Sequence, residues 1–184
     1  MTIKAFLKRI IIVSIFSGLA LGADWPMWRN DTGRTAQSAE VLADNLSLQW
    51  SRRLPPLKPA YRDNRLQFDA GYEPIVLGKR LVVGSSRDDS VTAFDTETGE
   101  EAWKFFTDGP VRFAPVGCEG RIIFGSDDGC LYCVNASDGL LVWKKRAVPS
   151  KRKVIGNERM ISVWPVRGGP VLHEGRVYFA AGVW

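Results

Sequence analysis

Few residues in this chain have the chemistry to act on a substrate. Two acidic pairs, Asp88-Asp89 and Asp127-Asp128, offer an acid and a base. One histidine, His173, stands alone, and three cysteines, Cys118, Cys130 and Cys133, offer thiols to a metal or a redox partner. Catalysis needs such groups to converge. The acidic pairs instead occupy matching turns, "SSRDDS" and "SDDG", so turn building accounts for them. His173 lies in "LHEGR", a turn between strands. Cys130 and Cys133 have the spacing of a redox or zinc pair, but "CLYC" reads as a strand, in which residues three apart point to opposite faces. There is no second cysteine pair, so no metal site is expected. An odd thiol count leaves at least one cysteine unpaired within the chain. No nucleophile motif or phosphate loop occurs.

These residues are carried on a repeat. "PIVLGKRLVVG" from Pro74, "PVGCEGRIIFG" from Pro115 and "PVLHEGRVYFA" from Pro170 share a leading Pro, an Arg six positions on (Arg80, Arg121, Arg176) and a closing small residue. The Pro-to-Pro spacings are 41 and 55. Two copies continue through a polar turn, a short strand, a second turn and a strand ending in Trp. "RLVVG" and "RIIFG" are rich in β-branched and aromatic residues, and Asp-Gly supplies the positive φ of a hairpin turn. The mature chain has no helix-length apolar run of period 3.6. Four antiparallel strands in about forty residues, repeated, make a β-propeller blade. The expected fold is therefore all-β, a partial β-propeller of four-stranded antiparallel blades.

One spacing holds the key to stacking. Ala93, Asp95, Gly99 and Trp103 stand at positions 1, 3, 7 and 11 of "AFDTETGEEAW"; Cys133, Asn135, Gly139 and Trp143 repeat that order in "CVNASDGLLVW". A large flat residue per blade can fill the gap between neighbours if a small residue and a Gly leave room for it. The Asp or Asn can bond backbone N–H groups of its own turn. Both Trp residues are thus expected to be largely buried between or behind blades. This spacing resembles the tryptophan-docking motif of the quinoprotein (PQQ-type) β-propeller repeat family. The second copy departs from it by Cys for Ala and Asn for Asp. The resemblance covers residues 68–184, as two full blades and a partial third that stops in its second strand. Residues 23–67 resemble the segment leading into the first blade, with Trp50 of "SLQWSRR" as an outer-strand Trp of an incomplete blade. On this reading the chain is the N-terminal part of a longer propeller.

Residues 1–22 have a basic start, an apolar run from Ile10 to Leu21 and small residues after it. That is a secretory signal peptide, too short in its apolar part to span a bilayer, and it implies a periplasmic or secreted protein with no integral span once cleaved. Its removal lowers the formal charge from +5 to near +2, so nucleic-acid binding is not implied. The charge that matters is local. "KKRAVPSKRK" holds six basic residues between Lys144 and Lys153. It lies in an insertion of about fourteen residues before Pro170, read as a long loop. Lys151, Arg152, Lys153, Arg159, Trp164 and Arg167 are the candidate partner surface there.

The family hosts several functions. Its dehydrogenases hold a PQQ quinone and Ca²⁺ with an Asp base on the propeller axis. This chain also resembles the family's non-catalytic propeller of the outer-membrane β-barrel assembly machinery, although it lacks a lipid-attachment Cys after its leader. The expected function is an exported, non-catalytic binding scaffold for an unidentified protein or polymer, without cofactor. The alternative is an N-terminal fragment of a PQQ-dependent dehydrogenase, in which case PQQ and Ca²⁺ enter.

Overall fold

The computed structural model describes residues 22–156 and 158–182. The leader reading of residues 1–21 and Trp184 lie outside the described residues. The described chain contains no α-helix; its one helical turn is the 3₁₀ segment Asn64–Leu66.

Two four-stranded antiparallel sheets follow each other along the chain. The first orders β1 (Ile75–Leu77), β2 (Arg80–Ser85), β3 (Ser90–Asp95) and β4 (Glu101–Phe106). The second repeats it with β5 (Val116–Cys118), β6 (Arg121–Gly125), β7 (Cys130–Asn135) and β8 (Leu141–Arg146). The third unit opens with β11 (Val171–His173) paired to β12 (Arg176–Tyr178). The insertion before it is not a plain loop. It folds as a hairpin of β9 (Lys153–Gly156) and β10 (Arg159–Ser162), in which two adjacent apolar residues of "KVIG" lie opposite two of "RMIS", Val154 opposite Ile161 and Ile155 opposite Met160.

Successive sheets come closest through β1, β5 and β11, so these first strands line the inner edge of the wedge. The core is the seam between sheets. Ile75, Val82, Val91, Ala93 and Trp103 of the first face Ile122, Phe124, Cys130, Tyr132 and Val134 of the second, all buried. Phe124 stacks on Tyr132 at 5.5 Å, and Phe105 meets both rings edge-on. Period-two alternation sends Cys133 to the other face, into a cluster with Met27, Val116 and Ile123. Cys130 and Cys133 therefore point apart, and both are free thiols.

The spaced motif acts across the seam. Within each sheet the small residue lies directly opposite the Trp, Ala93 to Trp103 and Cys133 to Trp143. The indole then reaches the turn of the next sheet. Trp103 Nε1 donates to the carbonyl of Ala136 at 2.9 Å, and its ring lies where a Cβ on Gly139 would come within 2.7 Å. Gly139 also holds φ +72°, so its lack of a side chain answers both a steric and a backbone demand. Each turn is closed by a Gly N–H donating to the carbonyl of Asp95 or Asn135, at 2.9 Å in both. Asp95 further accepts from Glu97 N at 2.9 Å, Thr98 N at 3.1 Å and Arg80 Nη1 at 3.0 Å. These bonds hold its carboxyl below the ordinary carboxylate range, the backbone N–H groups of Glu97 and Thr98 first.

The same dock occurs one step earlier. Trp50 Nε1 donates to the carbonyl of Thr96 at 2.9 Å, and its ring covers Gly99. Trp50 comes from an extended segment outside any named strand, yet it treats the first sheet as Trp103 treats the second. Trp143 differs from expectation. It is half-buried against Val116, Ile123 and Cys133. Among the described residues, the third unit offers no turn equivalent to the one that receives Trp103. Replacing Trp103 with Ala should cost about 3–5 kcal/mol, as for other large aromatic deletions in packed sites. The same change at Trp143 should cost about 1–2 kcal/mol, because part of that ring is already in water. Urea unfolding of both variants reads the difference; equal losses would contradict the docking geometry.

Candidate functional site

A second repeated segment builds a buried cluster of charged side chains. Pro110-Val111-Arg112 and Pro165-Val166-Arg167 each precede a repeat Pro by the same distance. Each Val crosses the end of the preceding sheet where a Gly makes room. Val111 sits over Gly84 and Val166 over Gly125, where an added Cβ would meet the valine methyl at 2.7 and 2.4 Å. The Val N–H groups donate to the carbonyls of Ser85 at 3.3 Å and Ser126 at 3.1 Å. This fixes both segments to the sheet ends and turns Arg112 and Arg167 inward.

The two guanidinium groups converge on Asp127, which is fully buried in the "SDDG" turn. Arg112 Nε donates to Asp127 Oδ2 at 2.6 Å; its Nη1 donates to Asp69 Oδ2 at 2.6 Å and to the carbonyl of Lys58 at 2.8 Å. Arg167 donates through Nε to Asp127 Oδ1 at 3.3 Å and through Nη2 to Oδ2 at 3.2 Å. Its Nη1 reaches Tyr61 Oη at 3.4 Å. Burial works against the charge on Arg167, but the bonds to Asp127 outweigh it and raise its pKa above the ordinary value. Asp69 also accepts from Ala60 N, at 2.9 Å to one oxygen and 3.2 Å to the other. Two cations and two anions thus neutralise each other. They also tie the lead-in segment, through Lys58, Ala60 and Asp69, to the loop ends of both sheets. Burial raises the Glu73 carboxyl, although Ala114 N donates to it at 2.8 Å. A cavity of about 360 Å³ lies beside this chain of charges, walled by Tyr61, Phe68 and Phe113 with Arg112 and Arg167.

The remaining acids are held in their turns. Asp88 bonds Ser85 and Lys104; burial pushes its carboxyl up, but these bonds prevail and leave it below the ordinary range. Asp128 accepts from Cys130 N at 2.9 Å and from Tyr132 Oη at 2.5 Å. His173 is exposed, with a Glu174 carboxylate oxygen 3.9 Å from its Nε2. Among the described residues, no three His, Cys, Asp or Glu side chains cluster as a metal site would require.

The candidate partner surface divides. Lys151, Arg152 and Lys153 are exposed, and Trp164 is 42% exposed. Arg167 is 5% exposed and belongs to the buried chain of charges instead. Arg159 is turned inward too, bonding Asp89 and the carbonyl of Arg87. Sequence spacing could not separate these cations. The recurring Pro-Val-Arg was the available signal that Arg167, like Arg112, is a packing position.

Four-stranded sheets joined by an indole that docks on the next turn define a β-propeller of the quinoprotein repeat type. The chain belongs to that family: the sequence model described as "outer membrane protein assembly factor BamB" matches residues 26–182. The alcohol dehydrogenase (quinone) dehydrogenase subunits of Gluconacetobacter polyoxogenes and Gluconobacter oxydans are each 30% identical over 101 residues, covering 49% of this chain. The chain spans only 13% of the length of those relatives. The quinohemoprotein alcohol dehydrogenase from Comamonas testosteroni shares the fold with a TM-score of 0.64 at 23% identity, over 90% of this chain and 24% of that one. The quinohemoprotein alcohol dehydrogenase ADHIIG from Pseudomonas putida HK5 matches at 0.50 and 19%, over 60% of this chain and 16% of its own.

Asp127 should be the most costly acid to remove. Asp127→Ala leaves Arg112 and Arg167 buried without their shared partner and should cost about 3–5 kcal/mol. A loss below about 1 kcal/mol in urea unfolding would mean the charges are not buried as described.

Proposed function

We propose that the chain is an exported, non-catalytic propeller segment that serves as a binding scaffold, with the hairpin Lys153–Ser162 and the basic run before it as its partner surface. The observation that carries this reading is the contrast between two polar regions. At the loop ends, Arg112, Arg167, Asp69 and Asp127 satisfy one another. On the insertion, Lys151, Arg152 and Lys153 are exposed beside Ile155 and Met160, which are 82% and 60% exposed. Groups that are spent on each other hold a fold; groups left facing water are available to a partner.

The second reading, a fragment of a PQQ-dependent dehydrogenase, is favoured by the 30% identity to the quinone-type dehydrogenase subunits. The residues present do not fit a quinone and Ca²⁺ centre within this chain. Ca²⁺ takes six to eight oxygen ligands. The buried carboxylates nearest the cavity, Asp69 and Asp127, already accept guanidinium or backbone N–H donors. A periplasmic or secreted location follows from the leader and belongs to the same proposal.

Titration of the purified chain with PQQ and Ca²⁺ separates the readings. Cofactor absorbance should stay that of free PQQ, and no dye-linked oxidation of alcohols or sugars should appear. Stoichiometric, Ca²⁺-dependent binding would overturn the scaffold reading in favour of the dehydrogenase fragment, even without turnover.

A further inference from the structure

We propose that this insertion docks on the surface of an anionic phospholipid bilayer; the inference rests on the scaffold reading and names what its surface meets. The β9–β10 register decides which side chains face out. Val154 pairs with Ile161, and Ile155 with Met160, so the two pairs lie on opposite faces of the hairpin. The hairpin is anchored at three points. Ile161 is 4% exposed and Ser162 1%, Ser162 N donates to the carbonyl of Asp127 at 2.8 Å, and Arg159 bonds Asp89 across to the first sheet. The face opposite Ile161 presents Ile155 and Met160 together to water; further along it Ser162 is buried and its partner Lys153 is exposed.

A basic run leads into this apolar pair along the chain. Lys145, Arg146, Lys151 and Arg152 join Lys153 within nine residues, all exposed. The acids within reach are engaged: Asp108 with Lys144 at 2.6 Å, Asp89 with Arg159, and Glu158 with Arg62. Asp108 also feels Lys153. Of the other four cations, Lys145 lies over the Trp143 ring at 5.6 Å and Arg146 donates to the carbonyl of Ser150 at 3.5 Å, and all four are exposed. Such a region attracts an anionic partner over roughly 8–10 Å at physiological salt.

Two features favour a bilayer over an acidic protein. A stable protein interface buries about 800 Å² on each side around aromatic or Arg anchors. Here the most exposed apolar groups are one cross-strand pair, Ile155 and Met160, with Val154 and Trp164 38% and 42% exposed. A bilayer needs only such a small apolar group, entering at headgroup depth while the flanking Lys and Arg side chains meet the phosphates.

The full chain should co-sediment with vesicles of phosphatidylcholine and phosphatidylglycerol at least tenfold more strongly than with phosphatidylcholine alone. Raising the salt should weaken the binding. Lys151→Glu with Lys153→Glu should abolish it, and Ile155→Ser with Met160→Ser should lower it severalfold, with melting temperatures unchanged. Equal binding to both vesicles, or binding unmoved by either double variant, overturns the proposal. Polyglutamate binding that depends on Lys151 and Lys153, without vesicle binding, overturns the bilayer assignment and leaves the scaffold reading standing. Binding to neither removes both.

Discussion

An indole laid on a glycine turn is the contact on which this architecture depends. A β-sheet with two apolar faces cannot stay in water, and each four-stranded sheet here covers only one face of its neighbour. Something must set how far apart the sheets stand and how they are turned. Trp103 does both: its ring fills the gap over Gly139, and its single N–H finds the carbonyl of Ala136. Trp50 on Gly99 repeats the arrangement. Ala93 opposite Trp103 keeps the strand behind the indole thin enough for the ring to lie flat. The aromatic cluster of Phe105, Phe124 and Tyr132 then packs in the space the dock defines.

A second fastening works at the loop ends. Val111 and Val166 bring their chains over Gly84 and Gly125, and Arg112 and Arg167 close on Asp127. A buried set of charges of this kind is a poor source of net stability, yet removing one member is costly. Its use here is positional: it joins the lead-in segment to two successive sheets. The same closure withdraws the site's best acids and bases from other chemistry. The hairpin of the insertion is the counterpart: Ile161 and Ser162 are buried, while Ile155 and Met160 face water.

Much of this was legible in the sequence because the repeat is written twice. Strand order, the Asp-Gly turns and the small–Asp–Gly–Trp spacing follow from residue types alone. What the spacing could not give was the direction of the dock, since a motif within one unit does not say that its Trp serves the turn of the next. Trp50 was visible as an outer-strand Trp, but its role needed the position of Gly99 in space. In sequence Trp143 is equivalent to Trp103; it differs because burial depends on a neighbour rather than on the residue itself. Arg167 falls in with Lys151, Arg152 and Lys153 because charge runs do not record direction. The hairpin resembles a loop in sequence because eight strand residues with a basic flank carry little periodic signal.

The central claim is that the docked indole and the glycine beneath it act as one unit between sheets. The most direct measurement is a double-mutant cycle of Trp103→Ala with Gly139→Ala, read by urea unfolding, with Gly120→Ala as reference. Gly120 has nearly the same φ, +71°, but nothing within 4 Å of an added Cβ, so it reports backbone strain alone. Gly139→Ala should cost at least about 1 kcal/mol more than Gly120→Ala in the wild-type background. With Trp103 removed, the two glycine changes should cost the same. An equal cost of Gly139→Ala in both backgrounds would contradict the account.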